Sequence, residues 1–470
     1  MENGARTQMT KEIKEILKLM FFFSGAVYLV YSRRVLFIIN DSSHIGYDYI
    51  NFSFISVLVL GLSSYFTGQI ISRGGRHRML LTSIVLMCML FATHFFLSIF
   101  LSGSTRAIVH IVTGFVSDVL SAGPWVLAYT MLSLYSNQKD AVEAQNMAYY
   151  QGLLAISSAL CSFFTLTIIT ALIGGLIMIF SSLNIAKKYV KQQTESNIKY
   201  GLDPSNEQAV ENLNEMTGQF KKEMKKLRRL LFVAICLIRA SKRMVNISVV
   251  EHLHQNYSDT FYAVSYLISV TGSFILQWIL VERVVNKHGL FKISMAGCIV
   301  MAVTCFFVFN NNTFVYFIAS FGNKLGYALC HATITTLIGR TADGGAAKAR
   351  AYGKMLLWTY TFGGLSMFIT DSLSRNMHNV AVSIIATVIV SIAIFLIKMM
   401  KGFNLHLYLD VQDDQPIEVD FSTAPYIPGG SGSATTSVPT MGRMNIDSNT
   451  SYIPARPVSN SDDLIYTPSV

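Results

Sequence analysis

Three cationic side chains, Arg239, Lys242 and Arg243, stand in the middle of an apolar run covering residues 230–250. On a helix, spacings of three and four put Arg239 on one face with Lys242 and with Arg243. Cations grouped in this way can hold an organic anion. A charge at mid-depth in lipid costs about 2.5 kcal/mol or more, so such groups face a bundle interior or a watery cavity. The feature recurs: residues 20–39 are also apolar and carry Arg33 and Arg34. Sliding the chain by 209 positions lays Ser32-Arg33-Arg34 on Ser241-Lys242-Arg243, the mark of a duplicated bundle. Adjacent arginines point about 100° apart on a helix. No more than one of Arg33 and Arg34 can face a cavity squarely, and the other is free to snorkel.

Two more apolar runs carry polar groups at depth. Residues 314–338 hold Lys324, Tyr327 and His331 at i, i+3 and i+7, one stripe of a helix. Residues 107–135 hold His110, Gly114, Ser117, Ser121 and Trp125 on one stripe, with Asp118 beside it. Lys324 adds a cation. Trp125 and Tyr327 can stack on a planar ligand. Asp118 can pair with a basic group, or carry a coupling proton if burial keeps it protonated. His110 and His331 can relay protons or simply hydrogen-bond within the packing. The competing account of all these groups is a buried ion-pair network that only fixes how helices pack.

The elements that must position these residues follow from composition. The chain has 470 residues, 52% hydrophobic and 14% charged, against about a quarter charged in soluble proteins. Apolar runs of membrane-spanning length recur along it, so the predicted class is an all-α membrane protein. Twelve spans are predicted near 19–39, 50–71, 79–101, 107–135, 143–162, 165–186, 230–250, 261–281, 292–309, 314–338, 353–371 and 380–397. They divide into two pseudo-symmetric six-helix bundles, 19–186 and 230–400, after a polar lead-in 1–18. A connector, 187–229, joins the bundles, its last part amphipathic and ending in a Lys/Arg cluster. Residues 401–470 are polar, rich in Ser, Pro, Thr and Asp, and read as a disordered tail. All six cysteines fall inside predicted spans as packing residues, which implies no disulfide framework, metal site or cofactor.

Charge sets the orientation. Arg73, Arg76 and Arg78, Lys187 and Lys188, Lys221 through Arg229, Arg283, Lys287, Arg340, Lys348 and Arg350 all fall in one set of loops. That set is cytoplasmic by the positive-inside rule, and both termini lie with it. The net charge of +10 is then loop charge rather than a nucleic-acid-binding surface. Asn40-Asp41-Ser42, Asn256-Tyr257-Ser258 and Asn311-Asn312-Thr313 are glycosylation acceptor patterns on the opposite side, with Asn40 and Asn256 the better placed.

Between the second and third spans the chain reads Gly68-Gln69-Ile70-Ile71-Ser72-Arg73-Gly74-Gly75-Arg76-His77-Arg78. This resembles the loop signature of the major facilitator superfamily, Gly-x-x-x-Asp-Arg-x-Gly-Arg-x-Arg. Gly68, Arg73, Gly75, Arg76 and Arg78 match, and Ser72 stands where the family has its acid. Glu282-Arg283 falls on Ser72-Arg73 with a shift of 210, close to the shift of the basic pairs. A looser resemblance is to the branch containing the proton-coupled folate carrier. Ala128-Tyr129 matches the start of an Ala-Tyr-Ile-Ala-Asp pattern there, but Leu132 replaces the acid and the outer-loop cysteines of that branch are absent. It names no substrate.

The resemblance implies a central cavity lined by spans one, four, seven and ten, the spans that hold the polar groups above. The expectation is a secondary transporter of a small organic anion, coupled to protons through Asp118 and His110. It would work as a monomer by rocking of the two halves, in the plasma membrane in preference to an endolysosomal one. The alternative is a receptor or scaffold with this fold and no transport. No nucleophile elbow, phosphate loop or metal cluster points to an enzyme.

Overall fold

The computed structural model describes residues 11–41, 49–73, 76–136, 140–164, 168–200, 218–256, 259–310, 312–342, 344–376 and 379–401. Twelve helices run through them: α1 (Lys11–Asp41), α2 (Tyr49–Ser72), α3 (Arg76–Phe100), α4 (Gly103–Tyr135), α5 (Asp140–Phe164) and α6 (Ile168–Tyr200), then α7 (Gly218–Asn256), α8 (Asp259–His288), α9 (Leu290–Phe307), α10 (Thr313–Arg340), α11 (Gly344–Asn376) and α12 (Asn379–Lys401). Nine of the twelve predicted spans fall within one of them, and 79–101, 165–186 and 292–309 overrun their helix by one to three residues.

The inside-out patterning of α4 shows what solvent surrounds the bundle. Ile108, Val112, Val116 and Val119 are exposed, while His110, Gly114, Ser117 and Ser121 are buried. Apolar groups outside and polar groups inside is the arrangement lipid demands. Four described stretches, Phe54–Ser72, Gly103–Tyr135, Leu290–Phe307 and Ala381–Met400, are apolar enough along their length to cross a bilayer on composition alone. The seventh helix is not, because Arg239, Lys242 and Arg243 interrupt it.

The helices form two six-helix bundles. In the first, α1 packs on α4, α5 and α6, around a core of Ala26, Leu29, Phe91, Cys161, Met178 and Ile179. In the second, α7 packs on α11 and α12, and α9 on α10 and α12, around Val245, Cys305, Val308, Ala319 and Ala386. The halves meet chiefly along α2–α11 and α5–α8, two pairs that exchange when the halves are swapped.

Small residues let α2 and α11 approach. A methyl group on Gly68 would meet the Ala349 carbonyl oxygen at 2.7 Å, and one on Gly353 the Ser64 carbonyl oxygen at 2.8 Å. The first glycine of the loop signature thus serves the contact between halves.

Helices enter the predicted connector from both ends. The sixth helix continues through Lys187 and Lys188 to Tyr200, and the seventh begins at Gly218, so the Lys/Arg cluster is the first part of a membrane helix. Helices need no boundary where polarity changes, since every backbone group stays paired along the axis. Residues 201–217 and the 402–470 tail lie outside the described residues.

Candidate functional site

A cavity of about 440 Å³ lies between the halves. Its walls are unlike in charge. Arg239, Lys242 and Arg243 of α7 and Lys324 of α10 line one side. Asp118 of α4 lines the other and is the one carboxylate among the described lining residues.

Local geometry holds the cations in place. The Arg239 Nη1 donates to the Tyr327 hydroxyl at 2.7 Å, and the guanidinium lies 5.8 Å from the centre of the Tyr360 ring. The Lys242 ammonium sits 3.4 Å from the centre of the Tyr327 ring. Tyr327 therefore takes a guanidinium on its hydroxyl and an ammonium on its face. Cation–π contact of this kind offsets part of the desolvation of a buried cation, but brings no opposite charge. Across the cavity Asp118 accepts a hydrogen bond from Ser56 of α2.

Aromatic rings form the floor. Tyr129 stacks on Tyr352 with centroids 5.5 Å apart and meets Tyr150 edge-on at 5.0 Å; Tyr327 lies 5.2 Å from His331, and Trp125 lies 6.4 Å from Tyr150. Gln151 donates to the Tyr129 hydroxyl. The Tyr150 hydroxyl and the Gln277 Oε1 are buried with no hydrogen-bond partner among the described residues, and both residues line the cavity. Buried polar atoms are normally satisfied, so these two are available to a solute or water.

The structure brings together most of the residues singled out by spacing: Arg239, Lys242, Arg243, Lys324, Tyr327, His331, Trp125 and Asp118 share this cavity. His110 does not join them. It is 1% exposed on α4 and is absent from the lining, because its turn of the helix lies farther along the axis. Arg33 and Arg34 lie on α1 and Asn40 and Asn256 near helix ends, but their side chains fall outside the described residues. Among the described residues the converging cations all belong to the C-terminal half. Tyr150, Gln151, Gln277 and Tyr360 escaped the sequence reading, and Tyr129 entered it only as part of a family pattern; single aromatic and amide groups in an apolar span gave no signal above packing.

Beyond the floor, at the end of the molecule that carries the basic loops, the halves are shut. Arg340 of α10 forms ion pairs across the halves, 2.6 Å to Asp140 and 3.8 Å to Glu143 of α5. Lys348 of α11 donates to Ser133 of α4 at 2.9 Å, and the Tyr352 hydroxyl to Glu143 at 3.4 Å. The Glu282 backbone N–H donates to the Gln145 side chain at 2.9 Å. None of this involves the signature's acidic position. Ser72 donates to the Gln69 carbonyl of its own helix at 2.7 Å, and Arg73 is exposed. Gly75, and the side chains of Arg76 and Arg78, lie outside the described residues. Among the described residues the acids of these cross-half ion pairs are Asp140 and Glu143, just before and at the start of the fifth predicted span, and the sequence reading did not single them out.

Twelve helices in two bundles, a cavity between them and a glycine-lined α2–α11 contact define a membrane transporter fold. The model of the Major Facilitator Superfamily matches residues 16–370, and the chain belongs to that family. It is a multi-pass membrane transporter and not an enzyme. No curated protein sequence matches it. Solved structures share its fold at low identity. The human organic anion transporter MFSD10 (TETRAN) superposes with TM-score 0.64 at 11% identity, over 83% of this chain and 100% of that one. A bacterial homologue of the iron transporter ferroportin, in an outward-facing state, gives 0.61 at 12%, over 84% and 100%. The proton:xylose symporter XylE gives 0.60 at 14%, over 83% and 95%.

Proposed function

We propose that the protein carries a small organic anion across the membrane by alternating access. The observation that carries this reading is the charge of the cavity: four cations against one carboxylate among the described lining residues. Burying like charges together is costly, and an anion seated among them offsets both their desolvation and their repulsion. Arg239 and Lys242 would hold the anionic group, with Arg243 and Lys324 enlarging the positive field. Trp125, Tyr129 and Tyr150 would face the body of the substrate, and a planar one would stack there. Tyr150 and Gln277 would supply the neutral polar contacts. Fold likeness to the organic anion transporter MFSD10 agrees with this class and adds nothing about the substrate. The likeness of Ala128-Tyr129 to the folate-carrier branch likewise selects none.

Asp118 would serve as the counter-charge when the site is empty, and as the proton carrier if transport is proton-coupled; His331 lies in the same cavity, and His110 would act only through intervening groups. The closed end would be cytoplasmic, which makes this the state open toward the outside. Both termini would be cytoplasmic, Asn40 and Asn256 glycosylated, and the protein a plasma-membrane monomer. Its parts would be the lead-in 1–18, bundles 19–186 and 230–400, the connector 187–229 and the tail 401–470.

Uptake into proteoliposomes, measured across a panel of carboxylates, phosphates, sugars and cations, tests the reading. Saturable uptake confined to anions and lost in Lys242→Ala is the expected result. Saturable uptake of a neutral or cationic solute, unaffected by that substitution, would overturn it.

A further inference from the structure

A second cavity, of about 290 Å³, lies apart from the first, between the opening turns of α7 and α11. The seventh helix contributes Lys225, Arg228, Arg229 and Phe232 to it. The eleventh contributes Ala347, Arg350, Ala351 and Lys354. Each set is spaced i, i+3, i+4, i+7, so each is one stripe of its helix and the two stripes face each other. Five of the eight residues are cationic and none is acidic. Lys225, Arg229, Arg350 and Lys354 are exposed, so their heads stay solvated while their stems build the wall. Arg228 donates through Nε to the Thr341 hydroxyl at 2.9 Å, which ties α7 to the turn before α11 and holds the cleft in shape. The alanines leave it open. Phe232 gives it an apolar end, at the level where α7 passes from charged to apolar sequence.

Positive residues at a cytoplasmic helix end satisfy topology wherever they point. Topology does not require two stripes turned toward one concave space with room for about ten waters. Cations held this close repel, and a multiply charged anion relieves that repulsion. Basic clefts between helices at the membrane surface fit phosphorylated headgroups.

We propose that this cleft binds a phosphate-bearing anion, presented as the headgroup of an anionic lipid in the adjacent leaflet. The site is independent of the substrate cavity and of its reading.

The full-length protein, in phosphatidylcholine nanodiscs with and without a bisphosphorylated inositol lipid, is assayed for retained lipid by native mass spectrometry. The triple variant Arg229→Gln, Arg350→Gln, Lys354→Gln is expected to weaken retention about tenfold or more. A control triple, Arg73→Gln, Lys187→Gln, Lys188→Gln, removes the same charge from exposed positions at the same end and is expected to retain the lipid. Arg229→Lys with Arg350→Lys keeps the charge and is expected to retain most binding, which separates lost charge from lost folding. Equal loss in both triples would mean diffuse surface attraction and would overturn the proposal, as would no loss in either. Soluble inositol trisphosphate is the competing arm. If it binds the protein in pure phosphatidylcholine discs as tightly as the lipid does, the phosphate site stands and its membrane source falls.

Discussion

The two halves of the cavity are built alike and charged differently. The N-terminal wall offers serines, aromatic rings and Asp118; the C-terminal wall offers Arg239, Lys242, Arg243 and Lys324. The same asymmetry appears at the shut end with its sign kept: Asp140 and Glu143 belong to the N-terminal half, and Arg340 and Lys348 to the C-terminal half. A repeated fold thus carries unlike chemistry. Among the described residues, one half holds the cations at both places and the other supplies their counter-charges. In the cavity the cations outnumber the acid among the described lining residues, the imbalance that the proposed anion would answer. At the shut end they are matched, so the closed contact needs no ligand. Breaking the first should abolish binding, whereas breaking the second should shift which state is populated.

The largest effect is expected at the cavity cations. Arg239→Ala or Lys242→Ala should lower substrate uptake about 100-fold, since each removes a charge-assisted contact of about 1.5–3 kcal/mol and disturbs the shared Tyr327. If either variant transports normally, the C-terminal wall is not the binding wall.

Next comes the contact that brings the halves together. Gly68→Val should reduce the rate of transport by about tenfold and leave substrate affinity within about threefold, because the added atoms meet the α11 backbone and not the cavity. A fall in affinity equal to the fall in rate would count against a role confined to closure.

At the shut end, Arg340→Gln and Glu143→Gln should each open the contact. Cysteines placed at the basic-loop end should then be labelled by a soluble reagent about three- to tenfold faster than in the parent, with the double variant no worse than the sum of the singles. Unchanged labelling would mean the ion pairs only decorate a contact held by the glycines.

Asp118→Asn sharpens the comparison further. If that carboxylate carries the proton, uptake in the parent should vary between about pH 5.5 and 7.5 and the variant should be flat. A variant that retains the full pH dependence would move the coupling role elsewhere.

The smallest effect is expected at Tyr150. Its hydroxyl has no partner among the described residues, so Tyr150→Phe should leave stability unchanged, while KM should rise about threefold if the hydroxyl meets substrate.

Much of this was legible before any coordinates. A cation in an apolar span has few places to go, so the three basic residues of α7 and the Lys324-Tyr327-His331 stripe announced a cavity by spacing alone. The loop signature announced the family through Gly68, Arg73 and the residues that follow. What spacing missed was chiefly neutral or local. Tyr150, Gln277 and Tyr360 matter because of what surrounds them, and their neighbours are distant in sequence. The Asp140–Arg340 pair was hidden because Arg340 read as a loop charge and its partner lies 200 positions away in the chain. His110 shared a stripe with Ser117 and Ser121, yet a stripe is longer than a cavity is deep.

The sequence by itself determined the class, the number of spans and the identity of the cations at membrane depth, since the cost of charge and unpaired backbone in lipid leaves few alternatives. Only the tertiary structure decided which charges oppose one another, which end is shut, and where two basic stripes close into a cleft. Those depend on contacts between helices 100 or more positions apart, and on distances of a few ångströms that no one-dimensional pattern encodes.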